Sequence, residues 1–395
     1  MSRLEELIAE HCPNGVEYVT LGESGTTFTG LTGKNKNHFD TGDGKFIPYT
    51  NIYANRSVDF NDYKMVDVSH GEKQNVLQYG DIILTGSSEG LMDCGMTSVV
   101  NEDVSDEKYY LNSFCFGYRF NDNIEYNIDF IKHLFDSYTV RRLIVQCCNG
   151  VTRYNLSKKK FMKLSIPLPP IEVQNEIVRI LDTFTELTQE LTQERELREK
   201  QYNYYRDTLL TFGDDVEVKK LGDICEIVRG ERVTKGQLAV DGEYPVVSGG
   251  TGYMGYFDTF NREGENITIA QYGSAGTIMW HDYKFWANDV CYTVIPKDDT
   301  LNKRYLYYVI MSKENAISSM VNRNAFPYSL SRDSLNLLTI PIPPIEVQNE
   351  IVAILDRFNT LANDIDHGLP KEIELRTKQY EYYRDKLLTF NEVTA

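Results

Sequence analysis

The stretch IPLPPIEVQNEIVRILD at residues 166–182 recurs almost unchanged as IPIPPIEVQNEIVAILD at residues 340–356. The two copies differ only at Leu168/Ile342 and Arg179/Ala353. A second block is repeated as well: ERELREKQYNYYRDTLLTF at 194–212 and EIELRTKQYEYYRDKLLTF at 372–390. The segments between the copies have little in common. The sequence therefore predicts a duplicated scaffold that carries two different globular parts.

Each copy of the first block predicts a long helix. Its proline pair suits a helix start, because proline fixes φ and its missing N–H is tolerated in the first turn. Apolar side chains then alternate at three and four residues, as in a coiled-coil seam. The seam comprises Ile177, Ile180, Phe184, Leu187 and Leu191, and again Ile351, Ile354, Phe358, Leu361 and Ile365. The alternative is a helix packed on its own domain, but near-identical copies favour mutual antiparallel pairing about a pseudo-two-fold axis.

Each segment between the repeats has the pattern of an α+β domain. VEYVTLGE (16–23) resembles VEVKKLGD (216–223) at the two starts. Short apolar runs bounded by Gly, Asn and Asp predict strands at 44–52, 80–86 and 114–120, and at 242–250, 265–273 and 291–296. Helices are predicted at 128–144 and 303–320. The predicted domains are 1–165 with a short N-terminal helix, the spacer helix 166–212, 213–339, and the spacer helix 340–395.

The composition sets limits on function. The chain has 395 residues, a net charge of −17 and seven cysteines without a C-x-x-C pair. These cysteines predict reduced structural thiols and no metal site. Without a membrane-length apolar run or a signal peptide, a cytoplasmic location is expected. The acidic charge alone argues against nucleic acid, but residues 137–171 lack acids and carry Arg141, Arg142, Arg153, Lys158, Lys159, Lys160 and Lys163.

The common catalytic motifs are missing from the sequence. GLTGKNKN (30–37) lacks the spacing of a phosphate-binding loop. The Pro-Pro pairs do not form the tetrapeptide of amino-methyltransferases, and no Ser/His/Asp or Cys/His set is evident. The sequence therefore predicts a chain that performs no chemistry itself.

The proline corner, the E-V-Q-N-E-I-V helix start and the K-Q-Y-x-Y-Y-R-D-x-L-L-T-F ends resemble the specificity subunit of type I restriction-modification systems. The resemblance implies two target recognition domains, each reading half of a bipartite, asymmetric site in double-stranded DNA. It implies that the helices set the spacing and dock two methyltransferase subunits carrying S-adenosylmethionine. Two restriction subunits using ATP and magnesium would complete a nuclease, and none of these cofactors would bind this chain.

Two other functions remain open from the residues: a coiled-coil scaffold joining two binding modules without DNA, and a self-contained DNA enzyme. For the DNA reading, polar loop residues are the candidates, because Arg, Lys, Asn, Gln, Ser and Thr suit base edges and phosphates. The first unit offers Lys34, Asn35, Lys36, Asn51, Ser87, Ser88, Asn149, Thr152, Arg153 and Tyr154. The second offers Arg229, Arg232, Lys235, Tyr272, Ser274, Arg323, Asn324 and Tyr328. Arg153 and Arg323, in the loops before the proline corners, are the leading pair.

The spacer between the repeated blocks differs in length. Asp182 to Glu194 spans 12 positions and Asp356 to Glu372 spans 16. The first copy carries a tandem ELTQ-ELTQ at 186–193, and the second has HGLP at 367–370, where Gly368 and Pro370 should break or turn the helix. The tetrapeptide is predicted to set the spacing of the half-targets. The tyrosines of the helix ends could stack on bases, but they are expected at helix or subunit contacts, where aromatic residues bury a large area. They are Tyr202, Tyr204 and Tyr205, and Tyr380, Tyr382 and Tyr383.

Overall fold

The computed structural model describes residues 2–69, 71–324, 326–363 and 368–393, with the backbone alone at 361–363. The chain divides into two compact units. Unit 1 contains Met1–Glu190 and Ile373–Ala395, and unit 2 contains Leu191–Glu372. Each unit thus takes its globular part from one segment and helical parts from both repeats.

The described residues before the first proline pair form six short helices and twelve strands. The helices are α1 (Arg3–His11), α2 (Leu21–Ser24), α3 (Tyr49–Ala54), α4 (Ile128–Asp136), α5 (Tyr138–Gln146) and α6 (Lys158–Phe161). The strands are β1 (Tyr18–Thr20), β2 (Gly25–Thr29), β3 (Phe39–Ile47), β4 (Lys64–Val66), β5 (Ile82–Thr85), β6 (Ser87–Ser88), β7 (Thr97–Val99), β8 (Tyr109–Leu111), β9 (Cys115–Phe120), β10 (Cys148–Asn149), β11 (Tyr154–Leu156) and β12 (Ser165–Pro167). The long helix α7 (Ile171–Leu209) follows.

The rest of the chain follows a similar order with fewer strands. Its strands are β13 (Val218–Lys220), β14 (Cys225–Arg229), β15 (Tyr244–Val247), β16 (Tyr253–Phe257), β17 (Asn266–Ala270), β18 (Ile278–His281), β19 (Trp286–Ala287), β20 (Cys291–Pro296) and β21 (Thr339–Pro341). Its helices are α8 (Leu221–Ile224), α9 (Lys303–Ser312), α10 (Glu314–Met320), α11 (Arg332–Asn336), α12 (Ile345–Asn363) and α13 (Leu369–Leu387). Two 3-10 turns lie at Lys36–His38 and Lys235–Gln237.

The two globular parts share a sheet topology although their sequences differ. Each has a four-stranded antiparallel sheet, in the order β2-β9-β5-β7 and β14-β20-β17-β18. Each has a three-stranded sheet, β4-β3-β8 and β16-β15-β19, in which one strand pair is parallel. A two-stranded pair closes each part, β1-β12 and β13-β21. The predicted α+β duplication is therefore confirmed.

Local differences from the predicted elements have simple causes. The predicted helix 128–144 is two helices, because Ser137 ends α4 and caps the start of α5 with its hydroxyl. The predicted strand 44–52 runs only to Ile47, after which Pro48 precedes α3. In the second spacer, Pro370 lies in the first turn of α13, where the missing N–H of proline is tolerated. His367 of the predicted break lies outside the described residues.

The repeated Gln-Asn dipeptide locks the start of α7 to its own unit. Gln174 is fully buried; its Oε1 accepts a hydrogen bond from the backbone N of Asn127 at 2.8 Å, and its Nε2 donates to the Pro169 carbonyl at 2.7 Å. Asn127 caps α4 and donates to Asn175 Oδ1 at 2.8 Å. Unit 2 repeats every one of these contacts, through Gln348, Asn302, Pro343 and Asn349.

The first turns of each repeated helix belong to the core of a globular part. Val173, Ile177 and Leu181, spaced by four residues, are fully buried in unit 1. Ile351 and Leu355 take the same role in unit 2. This part of the helix packs on its own domain, which is the alternative that the sequence left open.

The structure departs from the predicted seam at several positions. Leu187 and Ile354 are each 40% exposed, while Ile180, Phe184, Leu191 and Phe358 are partly buried. Ile365 and the side chain of Leu361 lie outside the described residues. Among the described seam positions, Ile177 and Ile351 are buried and the others are partly buried or exposed, because the buried stripe of the first turns, spaced by four, faces the domain core.

Aromatic stacks join the two repeated helices. Phe184 stacks on Tyr383 with ring centroids 5.3 Å apart in unit 1. Phe358 stacks on Tyr205 at 5.0 Å in unit 2. The beginning of each repeated helix thus contacts the end of the other, which is the sequence order of an antiparallel pair.

Candidate nucleic-acid interface

The loop before the first proline corner brings several predicted residues together. β11 pairs with β6 so that Tyr154 lies opposite Ser88 and Asn155 opposite Ser87. Arg153 directly precedes β11 and is exposed. Its Nη2 donates a long hydrogen bond of 3.4 Å to Ser87 Oγ. The backbone pairing therefore brings together the buried Ser87, the half-buried Ser88 and the exposed Arg153.

Aromatic and acidic side chains that the sequence analysis missed complete this site. A groove of about 380 Å³ is lined by Ser87, Ser88, Arg153, Tyr49, Tyr53, Phe114, Glu89, Gly90 and Asp93. The guanidinium carbon of Arg153 lies 5.4 Å from the ring centroid of Phe114, which is itself exposed. The sequence could have indicated Phe114, because it is a large apolar residue in a polar turn between two strands.

The other predicted residues of unit 1 are dispersed. Asn149 accepts a hydrogen bond from Lys160 Nζ at 2.9 Å, and Thr152 is exposed. Lys34 forms an ion pair with Glu72 at 2.6 Å. Asn35 caps the 3-10 turn that contains the exposed Lys36.

Asn51 is a correction to the predicted set. It is buried, and its Nδ2 donates to the carbonyls of Asp59 at 2.7 Å and Asp62 at 2.9 Å. The side chain braces a turn inside the fold, so it is not an exposed base-reading group. An isolated Asn in a polar stretch does not reveal from sequence whether it turns inward.

Unit 2 presents an arginine from the equivalent loop. Leu330 N donates to the Gln271 carbonyl at 2.9 Å, as Leu156 N donates to the Gly86 carbonyl at 3.0 Å in unit 1. Isolated bridges join Ser329 to Tyr272 and to Asn322. The loop that starts after Asn322 carries Arg323, whose guanidinium carbon lies 6.0 Å from the exposed Tyr328 ring. Its Nη2 donates to Ser318 Oγ at 2.9 Å.

The remaining predicted residues of unit 2 lie on several loops. Arg229 is engaged by Asp289, because its Nε donates to the Asp289 carbonyl at 2.7 Å. Ser274 is exposed and its backbone N donates to the Gly249 carbonyl at 2.8 Å. The other three, Arg232, Lys235 and Asn324, are exposed.

The acid-free stretch 137–171 contributes fewer surface charges than its composition suggests. Arg141 donates to the carbonyls of Met92, Cys94 and Gly95, and burial lowers the pKa of its guanidinium. Lys158 lies 4.8 Å from the Phe116 ring, and burial lowers its pKa as well. The stretch leaves five cations exposed: Arg142, Arg153, Lys159, Lys160 and Lys163. These are the groups available to an anionic partner.

The described residues contain no cluster of three or more His, Cys, Asp or Glu side chains that could hold a metal ion. All seven cysteines are free. Burial raises the pKa of Cys115, Cys225 and Cys291 to about 12, so these three remain thiols. Over the same part of the chain, no helix has both the length and the apolar character that a membrane span requires.

The family model and the related sequences that match this chain all point to one protein family. A sequence model described as the type I restriction modification DNA specificity domain matches residues 13–199 and again 213–375. A putative type I restriction enzyme specificity subunit of Haemophilus influenzae is 35% identical over 267 residues, covering 61% of this chain and 68% of that protein. The EcoR124I/EcoR124II specificity subunit of Escherichia coli is 37% identical over 265 residues, covering 60% of this chain and 64% of that protein.

Solved structures share the fold. The S subunit of a type I restriction-modification system from M. genitalium has a TM-score of 0.59 at 16% identity, covering 95% of this chain and 96% of that one. A chain from a study of complex assembly in the type I R-M system has a TM-score of 0.61 at 17% identity, covering 95% and 98%. With the doubled family match, the chain belongs to the type I restriction modification DNA specificity family, as a specificity subunit with two target recognition domains.

Proposed function

We propose that units 1 and 2 each read one half of a bipartite DNA site. The observation that carries this proposal is that one backbone topology presents different side chains from equivalent loops. Arg153 lies beside Phe114 in unit 1, whereas Arg323 lies beside Tyr328 in unit 2. Arginine next to an exposed ring suits base-edge recognition, because its planar fork forms paired hydrogen bonds. Since the two loops differ, the two half-sites differ and the whole site is not palindromic.

The repeated helices dock two identical methyltransferase subunits in this proposal. An identical partner that binds twice must meet the same surface twice. Two exposed apolar positions are identical in both copies: Leu197 and Leu375 are 65% and 54% exposed, and Tyr204 and Tyr382 are 67% and 61% exposed. In each copy they are seven residues apart, which places them on one face of the helix. Large apolar side chains left exposed at matched positions are typical of a protein contact.

The chemistry resides on the partners in this proposal. The methyltransferase subunits carry S-adenosylmethionine, restriction subunits carry ATP and magnesium, and this chain contributes recognition without catalysis. The partners also supply part of the phosphate contact, which reconciles DNA binding with a net charge of −17. In unit 1, the exposed cations of residues 137–171 supply the contacts with phosphate that this chain itself makes.

Methylation by the assembled complex tests the reading of DNA. The chain is purified with the methyltransferase subunit of its system, and a plasmid library is methylated and sequenced for modified bases. One bipartite, non-palindromic motif that depends on this chain is the expected result. Methylation without such a motif, or methylation by the partner alone at the same sites, would contradict the proposal.

The docking surface is tested by stoichiometry. Native mass spectrometry should find two methyltransferase subunits on the wild-type chain, one on Tyr204→Ala or Tyr382→Ala, and none on the double variant. Tyr138→Ala is the matched control, because Tyr138 is 64% exposed and lies outside the repeated blocks. A double variant that still binds two partners would show that this face is not the docking surface.

A further inference from the structure

The guanidinium of Arg153 is presented to solvent with few partners. Within the described residues it forms no ion pair, and its hydrogen bond to Ser87 Oγ is 3.4 Å long. The Phe114 ring, 5.4 Å from the guanidinium carbon, supports one face of the fork. Arginine has five N–H donors, so most of them remain available to a ligand.

The same groove also contains carboxylates. Glu89 and Asp93 line it, and Asp93 Oδ1 accepts a hydrogen bond from Tyr53 at 3.1 Å. Carboxylates repel a phosphate, so a groove designed only to hold the DNA backbone would exclude them. A ligand that offers acceptors to the arginine and a donor to a carboxylate fits the whole set.

A G·C base pair presents this combination in the major groove. Guanine offers the O6 and N7 acceptors that arginine binds in paired fashion, and cytosine offers an N4 donor that Asp or Glu accepts. We propose that Arg153 reads the guanine of one G·C pair in the half-site of unit 1, with Glu89 or Asp93 accepting from the paired cytosine. This inference rests on the proposed function and adds the base that the groove recognises.

The backbone beneath Arg153 is held in one conformation. Gly150 has a φ of 139°, in the region that favours glycine. A Cβ at Gly150 would lie 2.0 Å from the Arg153 carbonyl oxygen, so the loop closes tightly at this point. Asn149 and Asn155 are partners in the antiparallel pairing of β10 with β11, which closes the loop that contains Gly150 and Arg153. A fixed backbone reduces the entropy that the arginine loses on binding a base.

The described residues of the second unit place a different side chain at this loop position. Counting back from the equivalent Leu156 and Leu330, Pro327 occupies the position of Arg153. Proline has no side-chain donor, so the G·C requirement at this loop position belongs to one half-site. In each Arg153 variant, the half-site read by unit 2 therefore serves as an internal control, because its base preference should not change.

The test compares Arg153→Ala, Arg153→Lys and Val151→Ala in the complex with the methyltransferase subunit, using libraries randomised over the methylation motif. Val151 is an exposed residue of the same loop without hydrogen-bonding capacity. Arg153→Ala should lose roughly 5- to 150-fold of the preference for G·C at one position of one half-site. Arg153→Lys should lose part of it, since lysine cannot form the paired contact. Val151→Ala should keep the motif.

Three results separate the possibilities. Weaker methylation of all sequences by Arg153→Ala, with the motif intact, would make Arg153 a phosphate contact and overturn the inference. An unchanged motif in both arginine variants would overturn it too, and amide exchange of the variants shows whether the loop is still folded. If the wild-type complex yields no bipartite motif, the proposed function fails first, and this outcome is visible before any variant is made.

Discussion

Replacing Gln174 with methionine should destabilise unit 1 and leave unit 2 unchanged. Methionine nearly preserves the volume of glutamine but removes both polar atoms. The variant loses the hydrogen bond from Asn127 N at 2.8 Å and the one to the Pro169 carbonyl at 2.7 Å. Because Gln174 is fully buried, both backbone groups are left without a partner inside the fold.

The magnitude follows from those two groups. Leaving a buried donor or acceptor unsatisfied costs about 1–3 kcal/mol each, so the variant should lose roughly 2–6 kcal/mol. In amide hydrogen exchange, peptides of α4 and the first turns of α7 that open with the unit should exchange roughly 30- to 20,000-fold faster. Exchange is the suitable assay, because a two-unit chain need not unfold in one step.

The repeat supplies the control for this experiment. Gln348→Met removes the same contacts from unit 2, to Asn302 N and the Pro343 carbonyl, and should accelerate exchange in α9 and α12 instead. Gln193→Met, at an exposed position of α7, should change neither unit. Equal acceleration in both units, or none in α4 for Gln174→Met, would refute the assignment of this glutamine as the internal brace.

Three further predictions concern other parts of the chain. Deleting residues 186–189 removes one ELTQ and about 6 Å of α7. The gap between the half-sites in the methylation motif should therefore shorten by about one to two base pairs. An unchanged gap would contradict the role of the tetrapeptide. Burial lowers the pKa of His281 from 6.5 to about 4, so the neutral form is favoured in the folded unit 2. Unit 2 should therefore keep full stability above about pH 6.5 and lose about 3 kcal/mol as the pH falls towards 4. Urea titrations followed by the fluorescence of Trp280 and Trp286, which both lie in unit 2, should show this loss, and His281→Gln should abolish it. Arg119→Met leaves the buried Asp81 without its paired contacts of 2.6 and 2.7 Å, which should destabilise unit 1 by roughly 3–5 kcal/mol in amide exchange of β5 and β9. A change below about 1 kcal/mol would show that Asp81 does not need its partner.

The duplication was predictable from the sequence because its evidence is local. The repeated proline corners and dipeptides mark the helix starts directly, and the alternation of short strands with turns marks the globular parts. The breaks at Ser137 and Lys313 were not predictable, since the apolar pattern continues across both. The pairing of Phe184 with Tyr383 also needed the structure, because residues 199 positions apart are matched only by folding.

The candidate site could be located from sequence but not completed. Arg153 was identifiable because a cation in an acid-free loop before the proline corner has few neutralising neighbours in sequence. Phe114, Tyr53 and Asp93 join it from three other segments, so no local pattern connects them with Arg153. Asn51 was wrongly predicted to be an exposed base-reading residue. Its side chain is polar, but its Nδ2 donates both N–H groups to backbone carbonyls of a turn inside the fold.

Identity between the two repeats has two different physical causes, and the structure separates them. Gln174 and Gln348 are buried and make the same internal hydrogen bonds, so the fold alone accounts for their identity. Leu197 and Tyr204 are exposed, and they are still identical to Leu375 and Tyr382 in the other repeat. Exposure to solvent does not require identical apolar residues on a helix surface. A stripe of apolar side chains costs solubility unless a partner covers it. Its exact repetition supports the proposal of a partner that binds twice, whereas the different side chains of the loops that carry Arg153 and Arg323 support the proposal of a target whose two halves are not alike.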